Sequence, residues 1–358
     1  MTLIINDYLS TKLKALSLGA IILVVFIHSH NEDVKFASGE LPGDQSYFVL
    51  FVENFLSKGI SLIAAPLFFA ISGFLFYKSY NFTWSDVIEK LKGRFRSLVI
   101  PYLFWSLFGL MVIWCLQAIP WSRFFFTKEL IADYSVSKLL FTIILDPVPY
   151  QLWFVRDLIM LVIFSPLIGY LTKSIKVVWI ALLFILWIAS GKTFELFSNE
   201  ALLFFTLGCA LAFDKTELIS QKPSKNLCYI LLASWLLVVV FTTYLITFNH
   251  AFFILNAIGK LEILLGLMSV WSLYDHVDHG RVVKYSSLFG YSFFIFVFHE
   301  PLLTILKKGL FFLLGKTSLS SLLIYLIAPL ITIGICMLLS YILRSHTPRL
   351  YNFATGGR

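Results

Sequence analysis

Apolar residues along this chain gather in recurrent runs of about 17 to 25, which at 1.5 Å rise per residue match the ~30 Å hydrocarbon core of a bilayer. The pattern predicts helices over 13–29, 60–77, 98–119, 152–172, 176–190, 199–213, 226–248, 252–274, 285–306 and 320–344, the fifth and sixth being short. The fold class read from it is all-α: a polytopic transmembrane bundle of about ten spans, forming one membrane-embedded domain over 1–358. Two polar stretches, 30–58 and 120–150, read as exterior loops. The stretch 78–97 reads as a cytoplasmic basic loop. No internal repeat or low-complexity tract is detectable.

Composition agrees with lipid as the solvent. Hydrophobic residues make up 59% of the 358, charged residues 13%, and mean hydropathy is +0.86, values that exclude a soluble domain with a solvated surface. The first run ends in Phe26-Ile27-His28-Ser29-His30 with no small-residue cleavage site behind it, so it reads as a retained helix. The net charge of +8 is dispersed among loops, which argues against nucleic acid as a partner. Its distribution carries topology instead. Taken over alternate flanks, 17 Lys and Arg residues fall on one side and 10 on the other, with Lys260 inside a span, so both termini are predicted cytoplasmic. Cys115, Cys209, Cys228 and Cys336 lack paired spacing and read as buried small side chains; neither a disulfide nor a metal site is expected.

Titratable groups at membrane depth mark sites by default, because burying them is costly. His28 lies toward the exterior end of the first helix and is either a general base or an interfacial histidine bonded to a backbone carbonyl. Lys14, fourteen residues earlier, shares roughly one stripe with it, about 21 Å away. Arg156 and Asp157 enter the fourth span from the exterior side. The Arg156 guanidinium either binds an oxyanion or carboxylate or anchors at the interface beside Trp153. The ninth span ends in His299-Glu300-Pro301, where proline removes a backbone donor and frees the Val297 carbonyl. Glu300 either orients an imidazole or pairs with Arg156. On the cytoplasmic side Lys90, Lys92, Arg94 and Arg96 precede the third span, as a phosphate site or a plain positive-inside anchor. Lys260 and Glu262 sit mid-span about 200° apart, so each needs a partner from another helix. Pro66 and Ser72-Gly73 read as packing and bending features. No P-loop, dinucleotide fingerprint, zinc spacing or nucleophile elbow is present.

These same pieces, Ile22 through Ser29, Pro66 through Phe74, Arg94-Phe95-Arg96 through Pro101-Tyr102, Leu152-Trp153-Phe154-Val155-Arg156-Asp157 and Ser292 through Pro301, resemble in order the acyltransferase-3 family of integral membrane acyltransferases, especially members acting on surface polysaccharides. The resemblance implies a ten-helix bundle in a bacterial inner (plasma) membrane and an acyl-CoA donor, acetyl-CoA at base rate. It implies a glycan or lipid-linked sugar acceptor, no metal, and an essential histidine at His28. Arg94, Arg96 and Lys14 would hold the coenzyme's phosphates, Glu300 would orient His28, and Arg156 would bind acceptor or developing negative charge. Two positions depart from the family pattern. Ser17 stands where many members carry an arginine, and Gly93 stands three before Arg96 where many carry the first arginine of Arg-x-x-Arg. The expected chemistry is direct attack of a sugar hydroxyl on the thioester or prior acylation of His28. The competing class is a transporter or flippase of glycan intermediates, which coenzyme A binding discriminates.

Overall fold

A computed structural model describes residues 7–34, 46–126, 129–189, 197–214, 221–248 and 252–357. All regular structure among them is helical. Among the described residues seven helices are long and apolar enough to cross a membrane: Asp7–Ile27, Tyr47–Tyr77, Trp84–Ala118, Lys225–Phe248, Leu255–Tyr274, Ser286–Leu314 and Ser318–His346. An eighth forms if Tyr150–Ile163 and Ser165–Ser174, bent by 63° where Pro166 opens the second piece, count as one span. The two short expected spans are helices of 14 and 15 residues, Lys176–Ala189 and Asn199–Phe213.

One expectation is corrected. The polar stretch 30–58 is not loop throughout, because helix starts at Tyr47, capped by the Ser46 hydroxyl, and runs through a π-helical turn at Asn54–Gly59 toward Tyr77. Its polar residues are inside: Glu53, Asn54 and Ser57 are all buried. Within the other expected exterior loop, Ser135 caps a helix over Val136–Ile144. Residues 35–45 and 127–128 of these loops lie outside the described residues.

The chain forms two compact units. The first comprises 1–23, 58–94 and 157–290. In it Ala64–Tyr77 packs closely on Asn199–Phe213. A Cβ on Gly73 would lie 2.1 Å from the Phe205 carbonyl oxygen, and one on Gly208 2.1 Å from that of Ala70, so only hydrogen fits at either crossing. Such small-residue contacts suit helices that gain packing rather than hydrophobic burial in lipid. The mid-span charges find partners from other helices: Lys260 lies 3.8 Å from Glu200 and over the Trp187 ring, and Glu262 accepts a 2.6 Å hydrogen bond from Thr242.

The second unit comprises 24–57, 95–156 and 291–358. Ser292–Leu314 packs on Ser318–His346, whose start is fixed by a reciprocal Thr317/Ser320 capping box. Pro348–Thr355 lies along Ile100–Ala118, where the Trp105 indole donates to the Ala354 carbonyl at 2.7 Å. Gly356 ends that short helix at φ +67, a conformation that favours glycine, with Ser97 backbone 2.7 Å from where a Cβ would be.

Candidate active site

The site is assembled in the second unit from four stretches: the end of the first helix, the helical turn at Tyr150–Leu152, the helix Ser292–Leu314 and the buried polar start of Tyr47–Tyr77. The first helix ends at Ile27, so His28 stands one residue beyond it, its backbone N–H still bonded to the Val24 carbonyl. The half-buried His28 ring stacks on the His299 ring, with centroids 5.3 Å apart and planes at 20°. It meets the Tyr150 ring edge-on at 4.6 Å. Neither contact uses a ring nitrogen as donor or acceptor. A cavity of about 280 Å³ opens at this point, lined by His28, Val34, Tyr150, Thr304 and Lys307. An imidazole, a phenol, an alcohol and an ammonium thus face one small space.

His299 is fully buried, and its Nδ1 lies 3.0 Å from the Ile295 carbonyl oxygen one turn back. A carbonyl only accepts, so Nδ1 carries the proton and Nε2 is left a buried acceptor with no hydrogen-bond partner among the described residues. The same helix is broken one residue later. Glu300 has extended backbone (φ −109, ψ 135), as the residue before a proline prefers. The Val297 carbonyl that Pro301 cannot serve is met by the Gln151 side-chain amide at 3.3 Å, which also donates to the Glu300 carbonyl at 3.1 Å. Gln151 thereby ties the cavity wall at Tyr150 to the helix that carries His299.

Behind His28 lies a polar network that sequence reading passed over. The Lys307 ammonium donates to the Ser29 and His30 carbonyls at 2.5 and 2.9 Å. The Glu53 carboxylate accepts from the Asn31 backbone N–H and side-chain amide at 3.1 and 2.6 Å. His30 Nε2 is 3.1 Å from the Asn54 side-chain oxygen, and the Ser57 hydroxyl donates to the Phe26 carbonyl at 2.6 Å. Glu53 falls in the stretch 30–58 that the pattern reads as exterior loop, and Lys307 falls just past the ninth predicted span, 285–306. Glu53 is an isolated charge at the edge of an apolar run, and Lys307 belongs to the Lys307-Lys308 pair at the edge of another.

The other expected residues fall as follows. Glu300 is buried but makes no hydrogen bond to His28, so the expected orienting contact is absent; the His299 ring is the neighbour instead. Arg156 is half-buried and donates to the Leu145 carbonyl at 2.8 Å, while Asp157 beside it belongs to the first unit and accepts from the Ser198 backbone N–H. Lys14 is exposed; the buried lysine of the first helix is Lys12. Arg94 ends Trp84–Arg94 with its guanidinium over the Phe76 ring, and Arg96 is exposed on a π-helical turn at Phe95–Val99.

Fold and site together define a helical protein with several membrane-crossing helices, built around an imidazole on a polar cavity. The chain belongs to the acyltransferase-3 family, whose acyltransferase domain matches residues 15–341, and it is an acyltransferase. It is similar to the succinoglycan biosynthesis protein ExoH of Rhizobium meliloti (strain 1021), 26% identical over 314 residues that cover 85% of this chain and 81% of the relative. No solved structure matches it.

Proposed function

We propose that the protein moves an acyl group, acetyl, from a cytoplasmic acyl-CoA to a hydroxyl of a cell-surface or lipid-linked glycan in the bacterial inner membrane, with both termini cytoplasmic. The observation that carries this reading is the His28 imidazole, on a cavity wall with neither ring nitrogen hydrogen-bonded to any of the described residues. A base whose lone pair is already committed to a protein donor could not take a substrate proton. The name of the relative in succinoglycan biosynthesis supports a glycan acceptor.

In this reading His28 removes the acceptor hydroxyl proton as the oxygen attacks the thioester carbonyl carbon. The carbon–sulfur bond then breaks, and the departing thiolate takes the proton back from His28. His299 and Tyr150 limit the rotation of the His28 ring by packing on its face and edge. Arg94, Arg96 and Lys14 supply positive charge for the coenzyme's phosphates, and Arg156 draws the acceptor or the charge that develops on it.

The test is transfer of label from radiolabelled acetyl-CoA by purified protein in liposomes supplied with a lipid-linked glycan extract. Label enters glycan with wild type and not with His28→Ala. Equal labelling by the variant overturns the role of His28, and no transfer with no coenzyme A binding overturns the donor.

A further inference from the structure

Three consecutive residues follow the base, and side chains from two other helices hold the backbone of each one. The carbonyls of Ser29 and His30 accept from Lys307, on Ser292–Leu314. The N–H of Asn31 donates to Glu53, on Tyr47–Glu53. Lys307 is 1% exposed and Glu53 0%, so both charges are withdrawn from water. Glu53 is anchored further: the Asn31 amide bridges its carboxylate to the Ser321 carbonyl, and the Tyr325 hydroxyl donates to its backbone carbonyl.

A buried lysine and a buried glutamate in helices long and apolar enough to cross a membrane are expensive, and packing alone is satisfied by apolar side chains of similar volume. Their placement explains the expense. A helix carries partial negative charge at its C-terminal end, which an ammonium just past Ile27 complements, and Lys307 meets the carbonyls of the two residues that follow His28. Glu53 holds the other side of the turn through the Asn31 N–H. Between them the turn 29–31 cannot slide or rotate without breaking charge-assisted hydrogen bonds, and this turn leads directly from His28. Lys307 also lines the cavity that His28 faces.

We infer that Lys307 and Glu53 form a two-sided clamp on the turn after His28, and that Lys307 is a positioning residue for the base. The inference rests on the reading of His28 as the base. Its consequence is kinetic: loosening the clamp misplaces the imidazole without removing it, so turnover falls while donor affinity stays.

The experiment uses full-length protein in nanodiscs. Lys307→Met keeps the stem and loses the donors; Lys307→Arg keeps donors and charge. The expected result is a kcat lowered about 10- to 100-fold in Lys307→Met, the scale of an ångström-sized misplacement, with KM for acetyl-CoA unchanged and most of the rate recovered in Lys307→Arg. Unchanged kcat, or a loss confined to KM, overturns the clamp. Glu53→Gln is the second variant should Lys307→Met fail to fold, with the same split between kcat and KM expected and unchanged kcat overturning the two-sided arrangement. A readout that needs no acyl donor separates this from failure of the donor reading. Carbethoxylation of His28, followed by mass spectrometry with exposed His346 as the internal control, changes rate severalfold in Lys307→Met and Glu53→Gln and returns in Lys307→Arg. Identical His28 rates in all three overturn the clamp, whether or not the wild type transfers label.

Discussion

Among the described residues each unit of the molecule buries one lysine almost completely, and the two do different work. Lys12, in the first unit, is met by the Asp275 carboxylate at 2.7 Å, and the Trp271 ring lies 3.8 Å beneath it. Tyr8 donates to the same carboxylate. This group is closed on itself: cation, anion and aromatic face satisfy one another. Lys307, in the second unit, spends its donors on backbone carbonyls beside an imidazole and faces a cavity. A charge buried at membrane depth therefore does not identify a site by itself. What identifies it is whether its partners are side chains that end the matter, or a backbone that holds something else in place.

The comparison breaks most sharply at His28. His28→Ala is expected to lower acyl transfer at least about 10³-fold while the protein stays folded, measured as initial rate of label transfer alongside monodispersity on gel filtration. Lys12→Met acts on stability instead. It leaves Asp275 buried without its cation, costing about 3–5 kcal/mol in an unfolding titration, and Lys12→Met/Asp275→Asn recovers most of that; rate per folded molecule stays put in both. A large loss of turnover in folded Lys12→Met would erase the distinction between the two lysines. Gln151→Leu orphans the carbonyls of Val297 and Glu300 and is expected to cost about 1–3 kcal/mol, read as a lowered Tm, because a buried acceptor loses its donor. Arg96→Ala is the smallest: an exposed cation, screened by salt, whose loss raises KM for acyl-CoA about two- to fivefold at low ionic strength and less at high.

Much of this architecture is legible in the pattern of apolar runs, because a lipid solvent imposes length on every spanning helix. Each expected run corresponds to helix, including Lys176–Ala189 and Asn199–Phe213, which fall short of crossing length. His28 is legible for a related reason: a titratable group at the end of an apolar run has few neighbours to hide among. The errors share one cause. Glu53, Asn54 and Lys307 have the composition of a water-facing loop, yet they are dry, and nothing in the sequence tells a charge solvated by water from one solvated by another helix. The stripe that links Lys14 to His28 stops one residue short of the histidine, because the helix ends at Ile27. The partners of Lys260 and Glu262 were out of reach because each comes from another helix, and periodicity within one helix does not say which faces of two helices meet.

The amide of Gln151 occupies the place in the hydrogen-bond ladder that Pro301 vacates. Two residues 150 positions apart thus share a single backbone vacancy, and neither has its full meaning alone. A change at Gln151 strands a carbonyl, and a change at Pro301 brings in a rival donor for the same oxygen. For anyone redesigning this enzyme, or following its lineage through substitutions, the pair is one inheritable unit: altered together it offers a new joint between cavity wall and helix, and altered singly it breaks the old one.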